Sequence, residues 1–391
     1  MRVTHVITRL VVGGAQENTV ASVLGLRNKP DVEVSLIAGP TVGPEGSVEH
    51  LVSAERGLLT VIPELVRPIH PWRDWVTLRK LTRLFCERRP DIVHTHSGKA
   101  GFLGRLAARR AGVPVIIHTI HGPSFGAFQG GLANVVFRTA ERFAGKRTTH
   151  FISVADAMTR QYLAAGIGRP EQYTLIFSGF VLEPFLEARN DSGLRQRLGL
   201  ALDDFVVGKI GRLFKLKGHD DLFAAASRMV EKSPRIKFLL VGDGPWRQRF
   251  EARAGAPGLK GRFVFAGLIP PDEVPKYVGI MDALVHLSMR EGLPRAVPQA
   301  LAAGKPVVAY NSDGTREICL DGETGFLVEP GDLPGLINRV LQLEQDADLR
   351  ERLGRRGRER VRARFSLPMM IDQIYALYLK LLLQSPTGIS R

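Results

Sequence analysis

Residues 283–309 read ALVHLSMREGLPRAVPQALAAGKPVVA, and their order decides the fold. Ala283 to Leu287 is an apolar run too brief for a useful helix, which makes it a buried strand. The loop Ser288 to Pro294 leads to a short helical patch and then to a second apolar run from Val307. Gly304 stops the helix and Pro306 sits just beyond it. Pro298 marks its start, because a missing N–H costs nothing in a first helical turn. Strand, acidic loop and fresh helix N-terminus, in that order, predict a pocket at the carboxyl edge of a parallel sheet. Open α/β sheets bind their ligands there. Backbone N–H groups near Leu293 to Gln299 would point at an anion, with Glu291 beside it to read neutral hydroxyls.

The same rhythm runs through the rest of the chain. Val3 to Thr8 reads as a strand, Arg9 to Gly14 as a loop, and a helix starts near Ala15. With Gly13 and Gly14 this βα turn either holds an anion or sugar at the helix N-terminus or is a plain tight turn. It lacks the spacing of the dinucleotide fingerprint. Further strands follow at Val32 to Ala38, Leu59 to Ile62, Asp91 to Thr95 and Val115 to Thr119, the last two ending at His96 and His121. Pro123 to Arg147 is less regular, mixing Leu132, Val135, Val136 and Phe137 with Arg138, Arg142, Lys146 and Arg147. Such a stretch either lies on anionic lipid headgroups or is a core helix with a solvated face. Tyr173 to Phe177 is the last strand of the first half and Ser178 to Asn190 a hinge. From Phe205 the pattern restarts, and Met369 to Leu383 is a final amphipathic helix. Alternating strands and helices with short turns predict an α/β fold with doubly wound parallel sheets. The boundaries expected are 1–185, 186–365 and a last segment 366–391.

At 391 residues the chain exceeds the ~250–300 at which a single core stops growing, so two domains are expected. Its two cysteines, Cys86 and Cys319, lie far apart and suggest a reduced, cytoplasmic setting without a disulfide scaffold. No run reaches the ~18 apolar residues of a spanning helix, so the expectation is a soluble or peripheral protein. The net charge of +15 fits nucleic acid, an anionic membrane or a polyphosphate-bearing substrate. No nucleic-acid-binding signature accompanies it. The arginine cluster at 355–364 is interleaved with glutamate and glycine, as on a solvated helix face.

Several residues carry candidate chemistry. Arg212 and Lys217 share the loop GRLFKLKG at 211–218. A guanidinium forks onto two phosphate oxygens and an ammonium acts as a movable point charge, so together they would cradle a diphosphate. Two solvated surface cations would read the same way. Gly244, in VGDGP at 241–245, marks a tight βα turn at the ligand edge. His121 ends a buried strand, where a neutral imidazole would exchange hydrogen bonds with a hydroxyl or serve the structure alone. His94, His96 and His118 raise a metal cluster, but they alternate on two strands without a carboxylate at ligand spacing, so no metal is expected. Asp346 and Asp348 begin a polar helix and read as caps.

These segments resemble the family 4 glycosyltransferases, which have the two-Rossmann-domain GT-B architecture. The matches are VVGGAQ (11–16), HTHSGKAGFLGRLAARRAGVPVIIHTIHG (94–122), GRLFKLKG, VGDGP, EGLPRAVPQALAAGKPVVA (291–309) and DGTREICLDGETGFLVEPGD (313–332), all in order. The resemblance implies that Arg212 and Lys217 bind a donor diphosphate and that Glu291 holds hydroxyls of the transferred sugar. The backbone of Gly292, Leu293, Pro294 and Arg295 would contact sugar and phosphate. His121 would face the reacting sugar, Gly13 and Gly14 would approach the phosphates when the cleft closes, and the base would sit near Gly244 and Leu268. The last helix would cross back onto the first domain. One position departs: eight residues after Glu291 the family has a second glutamate, which accepts from the ribose hydroxyls, and this chain has Gln299. An amide accepts one such bond but loses the charge-assisted part, about 1 kcal/mol.

The family is expected to retain anomeric configuration and to need no metal or other cofactor, only the nucleotide-sugar co-substrate. The acceptor expected is a glycan or lipid-linked hydroxyl, as in cell-surface polysaccharide, lipopolysaccharide or glycolipid synthesis, at the inner face of a membrane. A GT-B sugar-nucleotide epimerase, a phosphorylase and a non-catalytic basic scaffold are the alternatives.

Overall fold

The computed structural model of the chain describes residues 1–43, 46–126 and 128–385. Two compact units emerge, Met1–Phe180 with the chain from Leu367, and Val181–Ser366. The divisions expected at 185/186 and 365/366 thus fall at 180/181 and 366/367. Of the expected last segment, residues 386–391 lie outside the described residues.

The first unit holds seven parallel strands: β1 (Arg2–Ile7), β2 (Glu33–Ala38), β3 (Leu59–Val61), β4 (Ile92–His96), β5 (Val115–Ile120), β6 (His150–Ser153) and β7 (Tyr173–Leu175). Their order is β3-β2-β1-β4-β5-β6-β7, so the winding reverses between β1 and β4. The second unit holds β8 (Phe205–Ile210), β9 (Ile236–Val241), β10 (Phe263–Gly267), β11 (Ala283–His286), β12 (Val307–Tyr310) and β13 (Gly325–Val328). Their order is β10-β9-β8-β11-β12-β13, with the reversal between β8 and β11. Both are two-sided sheets, which explains the unbroken apolar runs: β4, β5, β11 and β12 are buried at every position.

The helix Leu367–Gln384 packs on the first sheet through Met370, Ile371, Ile374, Leu377, Tyr378 and Leu381, against Val3, Leu26, Ile92 and Val115. It also lies along the helix Gly14–Arg27. Gly25 makes that approach possible, because a Cβ there would stand 2.5 Å from Ile371 Cγ1.

Two stretches differ from the sequence expectation. Within 123–147, where residue 127 lies outside the described residues, Gly131–Gly145 forms one continuous helix. Its apolar residues recur at helical spacing, but two flanking glycines disguise the start. The expected hinge Ser178–Asn190 contains a turn of helix, Glu183–Leu186, with Pro184 in its first turn. Asp346 does cap a helix, accepting from Leu349 N–H at 2.8 Å at the head of Ala347–Arg364.

Candidate active site

In the second unit the loops leaving β8 and β11 meet at the reversal of strand order, the place where doubly wound sheets bind ligands. They are knitted by backbone: Met289 N–H donates to Leu216 O at 2.9 Å. Gly218 takes a left-handed conformation (φ 67°), and a Cβ there would lie 1.9 Å from Leu287 O. Only glycine lets the two loops close to this distance. The result sets Lys217 Nζ on Glu291 Oε1 as a hydrogen-bonded ion pair. Both side chains stay partly open to solvent, at 31% and 20% exposure, so a ligand can reach them.

Burial works against ionisation of Glu291. The charge and hydrogen bond of Lys217, with His286 and Ser288, outweigh it and hold the carboxyl below its usual range. The backbone N–H of Glu291 donates to Asp313 Oδ2 at 2.9 Å, which ties the loop after β12 to the loop after β11. Burial raises the pKa of Asp313 in return. Arg212 leaves β8 on the same loop as Lys217, its guanidinium 5.4 Å from the Phe214 ring centroid. Its carbonyl accepts from His219 Nε2 at 3.1 Å, so the head of the helix His219–Lys232 fixes the loop's first turn.

Gly292, Leu293 and Pro294 are buried, and Arg295 and Gln299 half-buried, along the entry to the seven-residue helix Ala296–Ala302. Gly244 follows β9 and the half-exposed Leu268 follows β10, and Gly242 N–H to Gly267 O (2.8 Å) joins those strand ends. Arg212, Lys217, Gly244, Leu268 and Glu291 therefore share one sheet edge. Gly13, Gly14 and His121 stand on the first unit instead, at the carboxyl ends of β1 and β5. The backbone at Gly13 is extended (φ 167°), a conformation any residue adopts, so the turn itself does not demand glycine.

Besides Asp313, three buried bases of the second unit were not singled out by the sequence reading. Lys209 is 3% exposed inside β8, and burial, aided by the field of Lys217, pushes its ammonium down to about 7. His286 ends β11 with Nε2 4.0 Å from Glu291 Oε1, and burial pushes it to about 3. His219 is likewise pushed by burial to about 3. For Lys209 and His286 the available signal was a basic residue interrupting an apolar strand. In the first unit, one ring nitrogen each of His5, His94 and His96 lie within 4.8 Å of one another. His5 was missed, because only the register His5↔His94 brings it there. His118 is on the opposite face, bonded to Thr95 Oγ1 at 2.9 Å. A metal among the three would have to displace the hydrogen bond between His5 and His96 and those that His94 makes to Tyr378 and Thr119.

Known proteins agree with this architecture. Residues 13–179 match the glycosyl transferase 4-like domain and residues 191–360 the group 1 glycosyl transferases. The Escherichia coli UDP-Gal:alpha-D-GlcNAc-diphosphoundecaprenol alpha-1,3-galactosyltransferase is 31% identical over 81% of this chain and 82% of its own length. The capsular polysaccharide biosynthesis glycosyltransferase CapM of Staphylococcus aureus is 26% identical over 81% and 84%. Among solved structures, Anabaena Alr3699/HepE in complex with UDP-glucose superposes with a TM-score of 0.82 at 22% identity, covering 97% of this chain and all of that one (100%). The epimerase, phosphorylase and scaffold readings find no support among these relatives. The chain belongs to the family 4 glycosyltransferases and has their GT-B fold.

Proposed function

We propose that the protein moves a sugar from a UDP-sugar to a hydroxyl of a lipid-linked glycan acceptor, retaining the anomeric configuration and using no metal. The observation that carries this reading is the Lys217–Glu291 pair at the strand-order reversal of the second sheet, with Arg212 on the same loop. UDP enters through the HepE complex and the E. coli relative, and the lipid-linked acceptor through that relative's diphosphoundecaprenol substrate.

In this reading Arg212 and Lys217 hold the diphosphate, and Lys217 exchanges its bond to Glu291 for a phosphate oxygen. Glu291 then accepts from sugar hydroxyls. The acceptor hydroxyl attacks on the face the diphosphate leaves, and the departing phosphate oxygen takes its proton. Catalysis is chiefly electrostatic, through cations placed where negative charge grows. His121 gives the sugar a neutral imidazole, and Gln299 meets the ribose with an amide.

A peripheral seat on anionic membrane is the finer part of the proposal. Among the described residues no helix is long and apolar enough to cross a bilayer. The helix Gly131–Gly145 exposes Leu132 (82%), Val135 and Val136, with Arg138, Lys146 and Arg147 close by in sequence. That composition suits an interfacial helix.

The test is a thermal-shift screen of nucleotide-sugars with and without EDTA. A ligand at 100 times its Kd adds about 2.7 kcal/mol of stability. UDP-sugars should raise Tm in both buffers. No shift with any UDP-sugar would overturn the donor, and a shift lost in EDTA would overturn metal independence. NMR of the transferred product reads the anomeric outcome.

A further inference from the structure

Behind His121 the first unit holds a string of buried polar side chains that the proposed reaction leaves unused. His121 Nε2 lies 3.1 Å from His96 Nδ1, and His96 Nε2 lies 2.9 Å from His5 Nδ1. His5 Nε2 is 3.4 Å from Tyr378 Oη, on the last helix. Tyr378 Oη meets His94 Nδ1 at 2.6 Å, and His94 Nε2 meets Thr119 Oγ1 at 2.6 Å. His5, His94, His96 and Tyr378 are each 0% exposed. His5 and His96 stack with centroids 5.2 Å apart, as do His96 and His121 at 5.3 Å.

A neutral imidazole has one N–H and one lone pair. His96 bonds through both nitrogens, so it must donate from one and accept at the other. If His5 donates to His96 Nε2, then His96 donates from Nδ1 to His121 Nε2, and the proton of His121 sits on Nδ1. If the direction reverses, all three rings carry the proton on Nε2. Any mixture sets two N–H groups, or two lone pairs, face to face at the fully buried ring of His96.

We infer that His96 and His5 are positioning residues: they force His121 into the same neutral tautomer as their own, so that His121 Nδ1 meets the substrate as a pure donor or a pure acceptor. The inference rests on the reading that His121 touches the sugar. It gives a reason for burying histidines behind the one that faces the sheet edge. It also connects the last helix to the catalytic edge, since Tyr378 closes the far end.

The test is long-range ¹H–¹⁵N NMR of the full-length protein labelled at histidine, assigned with single-histidine variants, at neutral pH. His5, His96 and His121 should be neutral and share one tautomer. His96→Leu should leave His121 as a mixture of tautomers and lower kcat roughly tenfold or more, with KM for the UDP-sugar chosen in the screen little changed. His96→Asn, which keeps a donor and an acceptor near the Nδ1 position, should restore a single His121 tautomer and part of kcat. Differing tautomers, an imidazolium among the three, or an unaltered His121 in His96→Leu would overturn the inference. If His96→Leu fails to fold, the wild-type spectrum alone decides. Should the tautomers agree while His121→Ala turns over at the wild-type rate, the sugar-contact reading of His121 falls and the chain of rings stands.

Discussion

Lys209 lies in β8 between Gly208 and Ile210, and burial first, then the field of Lys217, lowers its pKa to about 7. An unfolded lysine titrates near ~10.4. Between those values the unfolded chain binds the extra proton, so this group makes stability rise with pH from about 7 upward. Below 7 the buried charge costs its full penalty. Lys209→Met removes that cost, so its advantage in urea midpoint over the wild type should be largest near pH 6.5 and shrink toward pH 10. A gap that does not change with pH would refute the shifted lysine. Lys217→Ala and Glu291→Ala should each lower turnover by about 10²–10³-fold while circular dichroism stays unchanged, since both groups are partly exposed at a loop edge. Near-full transfer by either variant would show that the pocket is misplaced. Arg212, Lys217 and Glu291 were legible in sequence because glycines and charges break the apolar pattern at strand ends. Asp313 was not, because its role is a hydrogen bond to the Glu291 backbone across strands β11 and β12. That contact comes from parallel register, which no local pattern encodes.

Helices were legible where their apolar spacing had a marked start. Asp332 and Asp346 cap successive helices by accepting from Gly335 N–H and Leu349 N–H, and both starts can be read from the sequence. The helix Gly131–Gly145 has no side-chain cap, and its first turn is glycine and leucine, so it read as irregular. Its exposed face is also where the membrane proposal is testable. Val135→Glu with Val136→Glu should abolish flotation on vesicles containing anionic lipid and leave Tm nearly unchanged, because both residues are about half exposed (50% and 52%). Equal flotation of variant and wild type would remove this helix from the proposal. The last helix gives a stability prediction. Gly25→Val drives a branched side chain into Ile371, and overpacking of this kind costs about 1–3 kcal/mol. Ile371→Ala in the Gly25→Val background should recover part of the loss in denaturant midpoint. No recovery would mean that the two helices do not meet at this point.

Across the whole molecule the alternation of strands and helices made two wound sheets readable, and in the second the loops that carry Arg212, Lys217 and Glu291 meet where the strand order reverses. What could not be read was how many ionisable groups the strands would carry inside. Of ten histidines, His5, His94, His96, His118, His121, His150, His219 and His286 are all held neutral, with burial the first cause in each. In the unfolded chain each would protonate near ~6.5. A base whose folded pKa is depressed lends stability above the unfolded value and loses it as pH falls below that value. Here the loss runs from about 6.5 toward the folded values of about 3 at His5, His121, His219 and His286 and about 4 at His150. Each such group contributes a slope of up to about 1.4 kcal/mol per pH unit. Six of them lie in the first unit and together rival the about 5–15 kcal/mol by which most domains are stable, so that unit should unfold on acidification well above the carboxylate range, whereas the second unit, with His219 and His286, should lose less. Urea midpoints should hold between pH 7 and 8 and fall steeply from pH 6 to 5, with net proton uptake on unfolding. His5→Leu paired with Tyr378→Phe should flatten the slope in the first unit without changing it in the second, as resolved by unit-specific tryptophan fluorescence from Trp72 and Trp75 against Trp246. A midpoint that stays level from pH 7 to 5 would mean that the buried rings already carry charge in the folded state, and that the hydrogen-bonded string behind His121 is built from imidazolium.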